Sequence, residues 1–233
     1  MNKNNILFNK KNEFKKVLNG MMAEISSAFI SYPLNTIKTN SQIGNRVSFT
    51  VSKNINNIKP LFKGFKYSFF NEVINGFVFY SIFEKMKLKT DNPIIRSSCG
   101  SIAAMLCSHP LYLRRKLAQV NKDTNIGFKL KNNYKGIGIC MINGVPTAAI
   151  NLGLKELIAQ KLNLGIFSGF LSTSITMILS HPLDTLTTCI LTKSNIKYAN
   201  LFRFNGFSQR LLEKNLTLGT KLMLLDYLNE KLK

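Results

Sequence analysis

Few residues in this 233-residue chain are placed to do covalent chemistry. There is no G-x-x-x-x-G-K-[ST] loop, no H-E-x-x-H helix and no plausible Ser-His-Asp context, so the chain reads as a non-enzyme. Cys99, Cys107, Cys140 and Cys189 are scattered in apolar stretches without a C-x-x-C pair, which argues against a zinc site or a disulfide framework. His109 and His181 each precede a proline. A lone His there packs or caps a carbonyl freed by the proline more often than it binds metal or moves a proton. No cofactor or metal is expected. The chemistry on offer is charge set into apolar sequence, namely Glu24, Glu72, Arg210, Glu213 and Lys214. Ionisable groups so placed bind a solute or pair with one another.

The spacing of three prolines and three glycines supplies the elements that position these charges. Pro33, Pro110 and Pro182 stand in similar contexts, SYPLNTIKTNSQ, SHPLYLRRKLAQ and SHPLDTLTTCIL. Downstream come LFKGF (Gly64), NYKGI (Gly136) and RFNGF (Gly206), and 20 residues beyond each glycine lies an acid, Glu84, Glu156 or Asp226. Glu84 to Pro110 and Glu156 to Pro182 are both 26 residues, whereas the proline-to-glycine legs vary at 31, 26 and 24. Length variation is thus confined to one side of each unit, as expected of an internal repeat. Twenty helical residues rise about 30 Å, the thickness of a bilayer's hydrocarbon core. Each unit is therefore an odd-numbered helix bent at its proline, a variable loop, and an even-numbered helix running from glycine to acid.

Both kinds of helix carry a narrow polar stripe. Beyond the glycines lie Ser68, Asn71 and Asn75, then Cys140, Asn143 and Thr147, then Arg210, Glu213 and Thr217. Before the prolines lie Glu24, Ser27 and Ser31, then Ser101, Ala104 and Ser108, then Thr173, Thr176 and Ser180. Spacing of i, i+3, i+7 places three side chains on one helix face. Six otherwise apolar helices with one polar stripe each suit a membrane bundle around a water-filled cavity.

Bulk composition alone leaves two classes open. With 32 Lys and Arg against 11 Asp and Glu, the formal charge is +21, which favours an anionic partner. Mean hydropathy is only +0.02 and no stretch of eighteen residues is wholly apolar, so a basic nucleic-acid binder competes until the repeat is counted. Abundant Asn, Lys and Ile match an AT-rich genome, such as a parasite's or a large virus's. The basic opening MNKNNILFNKKNEFKK is followed by no clean apolar core with a small-residue cleavage site, so no cleavable signal is expected.

These motifs resemble the mitochondrial carrier family, whose signature is Pro-x-acid-x-x-base, often with Gln four residues later, then aromatic-base-Gly. Repeat one keeps Pro33, Lys38 and Gln42 but has Asn35 for the acid; repeat two keeps Pro110, Arg115 and Gln119 but has Tyr112. Repeat three keeps Pro182 and Asp184, with Thr187 and Leu191 replacing base and Gln. Phe62-Lys63-Gly64 and Tyr134-Lys135-Gly136 fit the second element, which weakens to Phe204-Asn205-Gly206. Small-x-x-x-small packing matches at Ser97/Ser101 and Gly169/Thr173, but reads Gly20/Glu24 in repeat one.

The resemblance implies an all-α membrane protein of six transmembrane helices in three tandem repeats with pseudo-threefold symmetry. The divisions are a basic segment over 1–16 and repeats over 17–90, 91–163 and 164–233. It implies alternating access in the mitochondrial inner membrane, of a host cell if the gene is viral or parasitic, by a monomer contacting membrane lipid and no nucleic acid. The family's cyclic acid–base rule makes a proline-side, matrix gate of Asn35 with Arg115, Tyr112 with Thr187, and Asp184 with Lys38, backed by Gln42 and Gln119. At the cytoplasmic gate it pairs Glu84 with Ala159, Glu156 with Asn229, and Asp226 with Lys87. The implied substrate site is Asn71/Glu72, Asn143/Gly144 and Glu213/Lys214, with Arg210 one turn away. Glu24, a mid-helix carboxylate that is costly unless paired or wet, would serve a substrate, a proton or Arg210, or else be structural. Gly144-Val145, read with a one-residue slip, hints at nucleotides, so the expected substrate is an anionic metabolite, nucleotides or deoxynucleotides first, carboxylates, amino acids or phosphate otherwise. The competing expectation is a non-transporting membrane scaffold on a decayed carrier frame.

Overall fold

The computed structural model of the chain describes residues 3–44, 59–122, 130–162, 166–194 and 206–230. Among them are six long helices: α1 (Lys3–Gln42), α2 (Phe65–Met86), α3 (Pro93–Gln119), α4 (Ile137–Leu162), α5 (Ile166–Thr192) and α6 (Phe207–Glu230). A short 3-10 turn, Lys59–Phe62, precedes α2, and a single helical turn, Leu130–Asn133, precedes α4. Each long helix packs on the next and α6 returns to α1, which closes a ring. The basic opening is part of α1, which is continuous from Lys3.

Pro33, Pro110 and Pro182 lie inside α1, α3 and α5, and α4 holds a further Pro146. A proline cannot donate to the carbonyl four residues earlier, which must find another donor. For Pro110 that carbonyl belongs to Leu106, and the Tyr134 hydroxyl donates to it at 3.0 Å. The residue just before each proline has a different task. Tyr32 Oη donates to the Lys63 carbonyl at 2.8 Å, and His109 Nε2 donates to the Lys135 carbonyl at 3.0 Å. Both acceptors immediately precede a repeat glycine, so the side chain ties the odd helix to the start of the even one. His181 packs edge-on against Phe207, 5.3 Å between ring centroids. The histidines thus serve packing and cross-loop hydrogen bonding, and His109 does not cap the carbonyl its own proline frees.

The three repeat glycines share one conformation. Gly64, Gly136 and Gly206 have φ of 83°, 76° and 76°, the left-handed region that side chains resist, and each leads into an even helix. At Gly64 space is as restrictive as φ, because a methyl group there would meet Ala118 Cβ at 2.7 Å. The odd helices end at Gln42, Gln119 and Thr192, after which Gly44, Asn121 and Lys193 turn the chain with positive φ. Asn92 starts α3, its Oδ1 accepting from Ile94 N at 2.9 Å, with Pro93 at the first helical position.

Polarity is distributed inside out. Among the described residues 29 buried side chains are polar or charged against 13 apolar ones, so the interior is no ordinary hydrophobic core. The exposed large side chains include Phe29, Ile30, Phe69, Phe70, Leu106, Ile142, Ile178, Leu179 and Leu212, spread over all six long helices. Averaging two such faces lowers the hydropathy of each segment. Among the described residues, no helix is long and apolar enough to cross a membrane.

Candidate functional site

The odd helices converge below their prolines on a buried charge cluster. Lys38 of α1 lies 3.5 Å from Asp184 Oδ2 of α5 and 3.6 Å from Glu213 Oε2 of α6. Asp184 also receives Gln42 Nε2 at 2.8 Å and faces Arg210 Nε at 3.4 Å. Gln42 completes a bridge, accepting from Thr188 Oγ1 at 2.8 Å. The other glutamine, Gln119 of α3, accepts from Thr39 Oγ1 at 3.1 Å. Lys116, 1% exposed, donates to the same Thr39 hydroxyl at 2.9 Å. These contacts draw α1, α3 and α5 together at the proline end. Hydrogen bonds to charged groups in such a dry setting are each worth more than neutral ones, roughly 1.5–3 kcal/mol.

The expected pairings meet this geometry unevenly. Lys38 and Asp184 are brought together. Arg115 donates not to Asn35 but to Glu72 Oε1 at 2.9 Å and Ser68 Oγ at 3.2 Å, and lies over the Tyr112 ring at 4.8 Å. With no acid at position 35, the guanidinium turns to the nearest carboxylate, on α2. Tyr112 is thereby a platform for Arg115, while Thr187 spends its hydroxyl on the Leu183 carbonyl of its own helix. At the opposite end Lys87 bonds to Glu84 one turn away, at 2.6 Å. The side chains of Glu156, Ala159, Asp226 and Asn229 lie outside the described residues.

Above the cluster lies a cavity of about 100 Å³ whose lining includes Glu24, Ser68, Glu72, Arg115, Glu213 and Lys214. Of the expected substrate residues, Glu24, Glu72, Glu213 and Lys214 therefore share one space. Asn71 is buried beside it and donates to Glu72 Oε1 at 3.2 Å. Arg210 is not in the lining: it is held by Asp184 and by Ser180 Oγ at 3.0 Å. Asn143 and Gly144 are not in it either, and Gly144 backs onto the Met105 methyl of α3.

Glu24 pairs with Lys221 rather than Arg210, and Lys221 also stacks over Tyr80 at 5.5 Å. The pair crosses from α1 to α6. At the corresponding place between α4 and α5, Asn151 Oδ1 accepts from Ser172 at 2.9 Å; between α2 and α3, Phe79 lies against Gly100. The acid standing where a small residue is expected is thus compensated by a base on the facing helix. Lys116 and Lys221 escaped the sequence reading. Lys116 sits in the run Arg114-Arg115-Lys116, and Lys221 lies 197 residues from its partner, beyond any local pattern. Among the described residues no group of His, Cys, Asp and Glu could hold a metal ion.

Residues 9–93 match the family model described as mitochondrial carrier protein. The chain is also 22% identical over 146 residues to the mitochondrial carrier-like protein L276 of Acanthamoeba polyphaga mimivirus, covering 63% of this chain and 61% of that relative. It thus spans less than two thirds of the length of the relative it matches. Both matches liken the chain to mitochondrial carriers.

Proposed function

We propose that this chain is a membrane-embedded solute carrier working by alternating access. The ring of six helices is its bundle, three tandem repeats its plan, and the cavity above the Lys38–Asp184–Gln42 cluster its solute site. The observation that carries the reading is the inside-out polarity: charged and hydroxyl side chains inside, Phe, Ile and Leu outside. Helices of 22–27 residues, as α2 to α6 are, rise roughly 33–40 Å, enough for a hydrocarbon core of about 30 Å. A span whose polar face lines a cavity need not be apolar throughout. The proline-end cluster is the closed gate, and the family assigns that end to the matrix of mitochondria.

The solute is a small charged metabolite. The surplus of bases favours anions at long range and keeps nucleotides among the candidates. Yet about 100 Å³ is well below the ~300–1,000 Å³ of sites for drug-sized ligands, so a nucleotide would need a wider cavity in another state. The scaffold reading keeps one observation in its favour, Asn35 and Tyr112 where gate acids are expected. Reconstitution separates the two. A carrier resists carbonate extraction and gives time-dependent solute uptake into proteoliposomes; a scaffold resists extraction and gives none.

A further inference from the structure

Every charge lining the cavity already has a partner of opposite sign, and Glu213 has two, Lys214 and Lys38. Arg115 Nη1 lies 2.9 Å from Glu72 Oε1, and Lys214 Nζ lies 3.4 Å from Glu213 Oε1. Glu24 is taken by Lys221 from the side. Arg115 is 7% exposed and the Glu72 side chain 16%, so neither is well served by bulk water once its partner leaves. Removing one member of a buried pair leaves an uncompensated charge, which is the expensive outcome. A simple anion seated on Arg115 would strand Glu72, and a simple cation seated on Glu72 would strand Arg115. A solute with both charges on one small frame strands neither.

Two further observations fit such an occupant. Arg115 Nε is buried and has no hydrogen-bond acceptor among the described residues, although Nη1 has two. The guanidinium thus has one donor without an acceptor beside its paired Nη1, which a carboxylate drawn into the planar fork would supply. The cavity is also small, about 100 Å³. We infer that the cavity takes a small zwitterion of the α-amino-acid type, its carboxylate on Arg115 and its ammonium on Glu72. In the empty protein Glu72 stands in for the solute's carboxylate and Arg115 for its ammonium. The inference rests on the carrier reading and narrows its substrate class. It also makes Arg115, which the family pattern places in the gate, a substrate-binding residue.

The test uses the full-length protein in proteoliposomes, with labelled glycine, alanine and serine beside acetate, propionate, ethylamine, phosphate and AMP. Ligand-induced thermal shifts on the same panel provide a binding readout independent of transport. The amino acids should raise the melting temperature and enter at least tenfold faster than solutes with one kind of charge. Glu72→Gln should turn preference toward propionate over alanine, and Arg115→Met toward ethylamine. A change of preference is a gain that a misfolded variant cannot produce. Uptake of propionate, phosphate or AMP equal to or above that of alanine overturns the zwitterion assignment while leaving the carrier reading intact. Absence of uptake and of thermal shift for every solute removes the carrier reading as well.

Discussion

Glu24 shows how a residue read as an anomaly becomes ordinary once its partner is known. A carboxylate in mid-helix is costly unless paired or wet. It is paired, with Lys221 of the facing helix. The two side chains are 19% and 25% exposed, so breaking the pair should cost about 1–3 kcal/mol, below the roughly 3–5 kcal/mol of a fully buried pair. Glu24→Leu should lower thermal stability by that amount, and adding Lys221→Leu should restore most of it, since an apolar pair suits a helix seam. If the double variant is no more stable than Glu24→Leu alone, the two residues do not act as a pair. At this scale the sequence was informative about which residues are charged and buried and weak on who meets whom. Lys38 and Asp184 could be matched from the repeat pattern, whereas Arg115 abandons the matched position because residue 35 is Asn. Nothing local marks Glu72 as its partner 43 residues away.

The helices themselves were far more legible than their contacts. Glycine-to-acid spacing of 20 residues and the prolines located all six long helices, because backbone rules at Gly and Pro act within one or two turns. The polar stripes were legible for the same reason, since a period of 3.6 residues fixes which side chains share a face. Illegible was the division of labour around each proline. The sequence shows a His before Pro110, but not that Tyr134 serves the freed carbonyl while His109 reaches Lys135. On the carrier reading proposed above, six crossings would bring both termini to one side and the loops 42–64, 119–136 and 191–206 to the other. The first of these carries Arg46, Lys53, Lys59 and Lys63. That charge agrees with the positive-inside tendency and with a matrix location for the loops. In intact mitochondria, protease should therefore reach tags at both termini after the outer membrane is opened, and spare tags in the loops. Cleavage in the loops with protected termini would reverse the orientation.

For the molecule as a whole, function depends on whether the proline-end cluster is a gate or merely a brace. Asp184 is its hub, shared by Lys38, Arg210 and Gln42. Asp184→Asn should weaken the closed end and move the population toward the state open there. A double-mutant cycle with Lys38→Met should give a coupling of about 1–3 kcal/mol in thermal stability, the range for residues in one charged network. The charge swap Lys38→Asp with Asp184→Lys should rescue only in part, because Arg210 then faces a lysine. Coupling near zero would show that the contact does not hold the end shut.

Alternating access itself is tested most directly by making that end unable to open. Gln42 and Thr188 join α1 to α5 across it through a hydrogen bond of 2.8 Å. In a background without Cys99, Cys107, Cys140 and Cys189, Gln42→Cys with Thr188→Cys can be bridged by a short, reducible thiol cross-linker. The uptake of the reconstituted double variant should be abolished on cross-linking and return on reduction, while either single-cysteine variant is unaffected by the reagent. Undiminished uptake with the cross-link formed would contradict a carrier that works by opening this gate.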